Sequence, residues 1–319
     1  MKRFVLKCIL LFFLCFTPFY FRIDYNSKRA HPNSYYFAHI DKLEMLKASL
    51  QNPSQRIIFL GGSNLAFGLD SELIEKSLEN ILNTDITVIN MGLHAGIGLN
   101  RLINHILPYL REQDIVILIP EYGQFSKQIN GFGAAWFLER DILHTPLLKM
   151  RKRGFLTFPT EFLSYLKETF KKPVGGTTDT ASAYRRDAFN SYGDLIGHLS
   201  LSHDEPITPF TAIPEYDIRS IKAFMRYVKL MQNKNVTILF SYPCFQEQSF
   251  YNNENIIEET DEFLRKKTPC IIFLGSPRKY IVNDSLLYDT PFHLNAAGRE
   301  KRTLLVIEDL IAYFKGTGN

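Results

Sequence analysis

The first apolar runs of the chain alternate with amphipathic stretches. Apolar runs at 56–60, 86–90 and 115–119 predict three strands, and the third is apolar at every position, as expected for a strand covered on both faces. Between these runs, apolar residues recur at helical spacing over 71–82 and 100–110. An alternation of strands and helices is typical of an α/β domain with a parallel sheet.

The same alternation resumes after Pro214. Helical spacing predicts three more helices, over 217–232, over 256–265, and from Asn295 or Ala296 to about Phe314. Two more strands are predicted, over 236–240 and 271–274. One further helix is predicted before the first strand, over 39–50. The chain therefore supplies strands for one parallel sheet and helices to cover it.

Residues 123–215 interrupt the alternation. No repeat of strand and helix occurs there, so we predict an insertion after strand three that forms one wall of the functional site. Its aromatic and basic residues over 149–170 also fit a lid against a membrane surface, and a packed subdomain with a solvated basic face is the alternative. Arg185 and Arg186 in this segment are either ligands for an anionic polymer or ordinary surface arginines.

An apolar segment over 4–21 follows a short basic start. Its length lies between that of a spanning helix and that of a long signal-peptide core. Residues 19–22 are all bulky, so no small-residue cleavage site follows the segment. We therefore predict that residues 1–28 are a signal anchor with the start of a linker, and that residues 29–319 form the domain; a cleaved signal peptide is the alternative. The anchor predicts a single-pass protein of the inner (cytoplasmic) membrane whose domain faces the periplasm or exterior.

Composition and charge exclude several classes of protein. The chain has 319 residues, of which 45% are hydrophobic, and this is enough for a substantial core. The net charge is only +4 and no dense basic stripe with interleaved aromatics is present, so we expect no nucleic-acid partner. Cys244 and Cys270 fall at opposite ends of two predicted strands, too far apart for a disulfide. No metal-binding spacing occurs, and we expect no metal and no organic cofactor.

One stretch, Gly61-Gly62-Ser63-Asn64, follows the first predicted strand directly. Two glycines allow a sharp turn, and open α/β sheets carry their ligand sites at the carboxyl ends of their strands. Ser63 is therefore a candidate nucleophile, with an ordinary turn residue as the alternative. A serine nucleophile needs a base that a carboxylate orients. Asp289 and His293 share one short loop before the last helix and are candidates for these roles, although a lone His293 more often caps a helix or lies in a core.

Three features in this order resemble the SGNH (GDSL-like) hydrolase superfamily: the Gly-Gly-Ser-Asn turn after strand one, a glycine loop at Gly92 after strand two, and the late Asp and His pair before a terminal helix. The similarity runs from about Ile57 to the C-terminus. More narrowly, the chain resembles membrane-anchored, extracytoplasmic members linked to acyl or acetyl transfer on cell-envelope polymers. The resemblance implies a flavodoxin-like three-layer α/β sandwich with a five-stranded parallel sheet, the insertion after strand three and the N-terminal membrane helix.

The resemblance also assigns roles to residues. It implies that Ser63 is the nucleophile, that His293 is the general base, and that Asp289 orients His293. It places an oxyanion-binding glycine at Gly92, with the backbone N–H of Ser63 or Asn64 as the second donor. The implied activity is that of a serine esterase or an O-acyl or acetyltransferase acting on an ester of a cell-envelope polysaccharide or related glycan. An acylated glycan is the expected substrate, and a membrane-embedded acyltransferase is a candidate partner.

The end of strand three departs from the family pattern. The family usually has Gly-x-Asn there, and its Asn donates to the oxyanion, but this chain has Pro120-Glu121-Tyr122-Gly123. The donor is either missing or supplied elsewhere, for example by Asn64. Glu121 either places a carboxylate near the site or forms a salt bridge at the strand end. The missing Asn favours a second hypothesis, a catalytically weak or inactive protein of the same fold that assembles or binds envelope polymers.

Two details of the candidate base are also open in the sequence. Asp289 precedes His293 by four residues, whereas three is usual in the family, so Asp284 is an alternative partner for the imidazole. His94 lies in the Gly92 loop and either faces the site or has a structural role.

Overall fold

The computed structural model describes residues 35–126 and 183–316, together with Lys7 and Asn33. The predicted anchor over 1–28, except Lys7, and most of the predicted insertion lie outside the described residues. Among the helices within the described ranges, none combines the length and the apolar composition needed to cross a bilayer.

Helices and strands alternate through both described ranges. The α-helices are α1 (Ala38–Ala48), α2 (Ser63–Gly68), α3 (Ser71–Leu82), α4 (Leu99–Ile106), α5 (Ile218–Gln232), α6 (Glu247–Asn252), α7 (Glu254–Lys267) and α8 (Ala296–Phe314). The strands are β1 (Gln55–Gly61), β2 (Ile86–Asn90), β3 (Ile115–Ile119), β4 (Thr237–Phe240), β5 (Phe245–Gln246), β6 (Ile272–Phe273) and β7 (Ile281–Val282).

Five of these strands form a sheet that is parallel throughout, in the order β2-β1-β3-β4-β6. The order is consistent with a flavodoxin-like sandwich, and the predicted α/β class with a five-stranded parallel sheet is confirmed. In the register of the sheet, Phe59 pairs with Asn90 and Gly61 pairs with Ile119. The carboxyl ends of the first three strands therefore lie on the same side of the sheet, and the loops that follow them lie close together.

Helices bury both faces of the sheet. Alternate residues of β1 point to opposite faces, so Ile58 and Leu60 belong to one apolar cluster while Ile57 and Phe59 belong to another. Residues of α4 and α5 complete the first cluster, and residues of α3 and α8 complete the second. Fully burying one such side chain contributes roughly 1.5–3 kcal/mol. This burial stabilises the sheet, and the sheet in turn positions the loops at the carboxyl ends of its strands.

A buried ion pair lies at the opposite, amino-terminal end of β1. Arg56 at the start of β1 donates two hydrogen bonds to the carboxylate of Asp114, at 2.8 and 2.5 Å. The same guanidinium donates to Ser49 Oγ at 2.8 Å and to the carbonyl oxygens of Leu46 and Tyr109 at 3.3 and 2.9 Å. These bonds tie α1 and the segment before β3 to the strand that leads into the glycine turn.

The observed elements follow the predicted pattern, with three short exceptions. The helix over 71–82 and the strands over 86–90 and 115–119 are confirmed, and Asp70 caps α3 by accepting from the backbone N–H of Leu73. Periodicity does not predict α2, α6, or the two-stranded sheet that β5 forms with β7. Both helices have six residues and both strands have two, too few for an apolar period to show.

The strands flanked by the two cysteines are parallel neighbours, β4 and β6. Strand β6 is shorter than the predicted 271–274, and it pairs with β4 at two residues only. Cys244 is buried and Cys270 is exposed, and both are free thiols, as the strand arrangement predicts.

Candidate active site

The glycine turn places Ser63 directly after the carboxyl end of β1. Gly61 ends β1 and Gly62 is extended (φ −86°, ψ −161°), so that Ser63 begins α2. A Cβ at Gly61 would lie 2.1 Å from the carbonyl oxygen of Ile119, and a Cβ at Gly62 would lie 2.4 Å from Glu121 Oε1. Glycine is needed at Gly61 because the backbone of β3 approaches so closely, and a side chain at Gly62 would displace the Glu121 carboxyl group from its present position.

His293 approaches Ser63 from the loop before α8. Its Nε2 lies 2.8 Å from Ser63 Oγ, within hydrogen-bond distance. The imidazole stacks on the ring of Phe67 in α2, with 4.0 Å between ring centroids and 4° between the ring planes. The backbone N–H of His293 donates to Thr290 Oγ1 at 3.2 Å, and Asn295 caps α8 through its bond from Gly298 N–H. Stacking and capping therefore fix the imidazole against the serine.

Asp289 contacts the other side of the imidazole, with 2.7 Å between His293 Nδ1 and Asp289 Oδ1. Burial alone would raise the pKa of Asp289, but hydrogen bonds from His293 and Tyr184 outweigh burial and hold this pKa below its usual value. The alternative partner, Asp284, instead accepts a hydrogen bond from Gln246 Nε2 at 2.9 Å. The loop therefore completes a Ser-His-Asp chain despite its four-residue spacing.

Tyr184 is a fourth residue in contact with the Ser-His-Asp group. Its hydroxyl donates to Asp289 Oδ2 at 2.6 Å and lies 3.0 Å from His293 Nδ1. Burial, followed by the hydrogen bond to Asp289, raises the pKa of Tyr184, so the phenol stays protonated. Tyr184 belongs to the predicted insertion, and this described part of the insertion does lie against the site. No motif in the sequence marks Tyr184 out.

We expect Tyr184→Phe to lower kcat about tenfold with little change in KM. A hydrogen bond to a charged group contributes roughly 1.5–3 kcal/mol, and the bond from His293 to the same carboxylate remains in the variant. Tyr184 thus acts as a positioning residue through Asp289. Ester hydrolysis rates across pH test this, because loss of the phenol should also shift the pH dependence of kcat.

Tyr192→Phe is the matched control for that change. The Tyr192 hydroxyl also donates to a carboxylate, that of Glu75 at 2.8 Å, but Glu75 lies on α3 and is not a member of the triad. Equal losses of kcat in the two variants, with unchanged pH profiles, would contradict a positioning role for Tyr184.

Gly92 packs tightly beside the site, but its N–H already has an acceptor. The N–H donates to Asn90 Oδ1 at 2.9 Å, and the carbonyl oxygen accepts from the buried ammonium of Lys42. A Cβ at Gly92 would lie 2.4 Å from the Cβ of Leu65 in α2. The structure thus gives Gly92 a close-packing role against the helix that carries Ser63. Its part as an oxyanion donor stays a prediction.

Asn64 and Glu121 meet beside the serine hydroxyl. Glu121 Oε1 lies 2.9 Å from Ser63 Oγ and accepts from the backbone N–H of Asn64 at 3.2 Å. The Asn64 side chain donates to the carbonyl of Ile119 at 3.2 Å, and its Oδ1 is buried without a hydrogen-bond partner among the described residues. No Lys or Arg in the described ranges forms a salt bridge with Glu121. Of the two predicted alternatives, a carboxylate near the site and a salt bridge at the strand end, the structure therefore shows the first.

His94 lies near the triad but is held as a structural cap. Its Nδ1 accepts from the backbone N–H of Gly96 at 2.9 Å, which caps a short 3-10 turn. Burial lowers the pKa of His94, while Glu121 raises it and His293 lowers it further.

The two insertion arginines form ion pairs at the surface. Arg186 pairs with Asp41 of α1, and Arg185 pairs with Asp187 at 3.0 Å. This arrangement matches the interpretation as ordinary surface arginines. Within the described ranges, no group of three or more His, Cys, Asp or Glu side chains is arranged to hold a metal ion.

The sequence was also compared with known proteins. Neither a protein-family model nor a curated protein matches the chain. The geometry of the site therefore carries the functional argument.

Proposed function

We propose that this protein is a serine esterase or O-acyltransferase of the SGNH type, acting on an ester of a cell-envelope polysaccharide or related glycan. The observation that carries the proposal is the chain of short contacts from Ser63 Oγ to His293 Nε2 (2.8 Å) and from His293 Nδ1 to Asp289 (2.7 Å). Nucleophile, base and orienting carboxylate within hydrogen-bond reach are the arrangement that acyl transfer requires.

In the first step, Ser63 Oγ attacks the carbonyl carbon of the ester. The hydroxyl proton passes to His293 Nε2 as the Oγ–C bond forms, and the carbonyl π electrons move to the oxygen. Asp289, which stays ionised, stabilises the resulting imidazolium through Nδ1–H. When the tetrahedral intermediate collapses, the bond to the alcohol oxygen breaks and that oxygen takes the proton from His293 Nε2. The acyl group is then esterified to Ser63.

The second step reverses the roles of the groups. A water molecule or a glycan hydroxyl loses its proton to His293 Nε2 and attacks the acyl carbon, and the Ser63 oxygen leaves with that proton. Water gives a free acid, whereas a glycan hydroxyl gives a new ester. Ser63 and His293 are 8% and 6% exposed, so access to the acyl-enzyme is restricted. Restricted access of water favours transfer when a glycan acceptor is bound.

The proposal includes the parts of the chain that lie outside the described residues. The apolar segment over 4–21 supports an N-terminal membrane helix, which would hold a flavodoxin-like three-layer domain at the outer side of the inner membrane. The insertion over 123–215 would form one wall of the site, and Tyr184 at its described end supports this. A membrane-embedded acyltransferase would then be a suitable source of acyl groups.

One observation favours the second candidate function, a weak or inactive envelope-polymer binder. The N–H groups of Gly92 and Asn64, both proposed oxyanion donors, already have acceptors in Asn90 and Glu121. Loss of one oxyanion donor lowers turnover by ~10²–10³-fold.

Labelling with a fluorophosphonate probe distinguishes an enzyme from a binder. We expect the full chain in detergent to be phosphonylated at Ser63, because His293 removes the hydroxyl proton as Oγ attacks phosphorus and fluoride leaves. Mass spectrometry of the labelled peptide identifies the site. Ser63→Ala should abolish labelling, whereas Ser285→Ala, in an exposed loop serine, should not change it. An intact fold without any labelling would favour the binder.

A further inference from the structure

The Ser63 hydroxyl lies between two groups that can each accept its proton. His293 Nε2 is 2.8 Å from Oγ and Glu121 Oε1 is 2.9 Å from it. A hydroxyl donates one hydrogen bond, an ionised carboxylate only accepts, and a neutral imidazole nitrogen without hydrogen only accepts. His293 also contacts Asp289 through Nδ1 at 2.7 Å, so three short contacts link Asp289, His293, Ser63 and Glu121. If both carboxylates were ionised and His293 were neutral, the imidazole and the hydroxyl would supply only two hydrogens, and one of the three contacts would join two lone pairs. The geometry therefore calls for one additional proton shared along Glu121, Ser63 and His293.

That proton has two arrangements. In the first, His293 is an imidazolium that donates to Ser63 Oγ, and the hydroxyl donates to an ionised Glu121. In the second, Glu121 is a neutral acid that donates to Oγ, and the hydroxyl donates to a neutral His293. Both hold the same number of protons, and they interconvert by moving one proton across each contact. Only the second arrangement presents the serine to its base, as acyl transfer requires.

Glu121 Oε1 also accepts the backbone N–H of Asn64 at 3.2 Å. This N–H is a proposed oxyanion donor, so Glu121 lies where charge develops on the acyl oxygen. An ionised carboxylate there would repel the oxyanion, whereas a neutral carboxylic acid would donate a hydrogen bond to it. Glu121 belongs to the segment Pro120-Glu121-Tyr122-Gly123, which stands where the family pattern has Gly-x-Asn. A protonated Glu121 would supply the donor that this sequence otherwise lacks.

The surroundings hold Glu121 in this position. Its backbone N–H donates to Gln124 Oε1 at 2.9 Å, and Gly62 leaves room for its carboxyl group. Three groups near Glu121 within the described ranges exchange protons: Ser63 of α2, whose hydroxyl contacts Oε1; His293 of the loop before α8, which contacts that hydroxyl; and His94 of the loop after β2, whose pKa Glu121 raises against the lowering effect of burial. No cation in these ranges forms a salt bridge that would keep the carboxylate ionised.

We propose that Glu121 is a further catalytic residue, a carboxylic acid that donates to the oxyanion and whose deprotonation switches the site off. The inference rests on the proposed function. When Ser63 Oγ attacks, its proton goes to His293 Nε2, the carbonyl electrons move to oxygen, and the Glu121 O–H turns from Oγ to the new oxyanion. On collapse, the electrons return, the leaving alcohol takes the proton from His293, and Glu121 keeps its own.

The test is the rate of fluorophosphonate labelling over roughly pH 5 to 9. In the wild type the rate should fall as the pH rises, since deprotonation removes a donor and adds a repulsive charge. In Glu121→Gln, which donates at every pH, the rate should not fall as the pH rises, and should exceed the wild-type rate at alkaline pH by at least ~10-fold. In Glu121→Ala, which lacks the donor, the rate at acid pH should be ~10²-fold below that of the wild type.

Glu262→Gln is the matched control, because it removes one carboxylate from the exposed face of α7 and should keep the wild-type profile. Labelling of Ser63 with the same pH slope in wild type and Glu121→Gln would overturn the role of Glu121 and leave the proposed function intact. A wild-type rate that rises with pH would do the same, even if the variants failed to fold. Absence of labelling in all variants at every pH would overturn both proposals.

Discussion

His293→Ala is expected to lower kcat for ester hydrolysis by on the order of 10⁴–10⁶-fold. The imidazole lies within hydrogen-bond distance of Ser63 Oγ and can both take the hydroxyl proton and return it to the leaving alcohol. Glu121 is also within that distance, but as the carboxylic acid proposed above it donates to Oγ and does not take the proton. Without the imidazole, Ser63 must therefore attack as an unassisted hydroxyl, which is a weak nucleophile at neutral pH. Steady-state hydrolysis of p-nitrophenyl acetate by the full chain in detergent measures the loss.

The same reasoning predicts that Ser63 and His293 act as one unit. Without Ser63 there is no hydroxyl proton for His293 to accept, and without His293 the Ser63 hydroxyl is not activated. Ser63→Ala/His293→Ala should therefore be only a few-fold slower than either single variant. His105→Ala is the matched control, because that imidazole lies on α4 and contacts His39 at 2.9 Å, away from the triad. Losses that multiply in the double variant would mean that the two residues act separately, and the proposed mechanism would be wrong.

The fold and the pair at its centre can be predicted from the sequence because they depend on apolar patterning. The run at 115–119 is apolar at every position, as a strand covered on both faces must be, and its alternation with helices and with the runs at 56–60 and 86–90 predicts a parallel sheet. A parallel sheet in turn brings the residues that follow its strands to one edge. Ser63 and His293 are 230 residues apart in sequence, yet the loops that carry them converge as this topology predicts.

The finer chemistry of the site depends on side-chain directions that no pattern of apolar residues determines. Glu121 reaches Ser63 across 58 residues and Tyr184 reaches Asp289 across 105, and both contacts require loops to close at hydrogen-bond distance. The sequence likewise does not decide whether Asp289 or Asp284 contacts His293. In the structure Asp289 does, while Asp284 accepts a hydrogen bond from Gln246. Helix α2 is too short to show a period, although it supplies the Phe67 ring that supports the imidazole.

Asp114→Ala is expected to give the largest loss of stability outside the site, about 3–5 kcal/mol. Arg56 and Asp114 are 0% and 1% exposed, and their bidentate bond satisfies both charges. Removing the carboxylate leaves a guanidinium buried without a counter-charge, which costs far more than the pair contributes when intact. Urea unfolding followed by circular dichroism measures the change in the free energy of unfolding.

Two comparisons separate the buried charge from the loss of packing. Glu72→Ala breaks an exposed ion pair with Lys76, whose side chains are 50% and 64% exposed, and should change the free energy of unfolding by less than about 1 kcal/mol. Arg56→Met/Asp114→Leu removes both charges and should recover much of the stability that Asp114→Ala loses, because no buried unpaired charge remains and Arg111, which also pairs with Asp114, is partly exposed. A double variant as unstable as Asp114→Ala would show instead that the hydrogen bonds from Arg56 to α1, and not its charge, hold the start of β1 and with it the strand that carries Ser63.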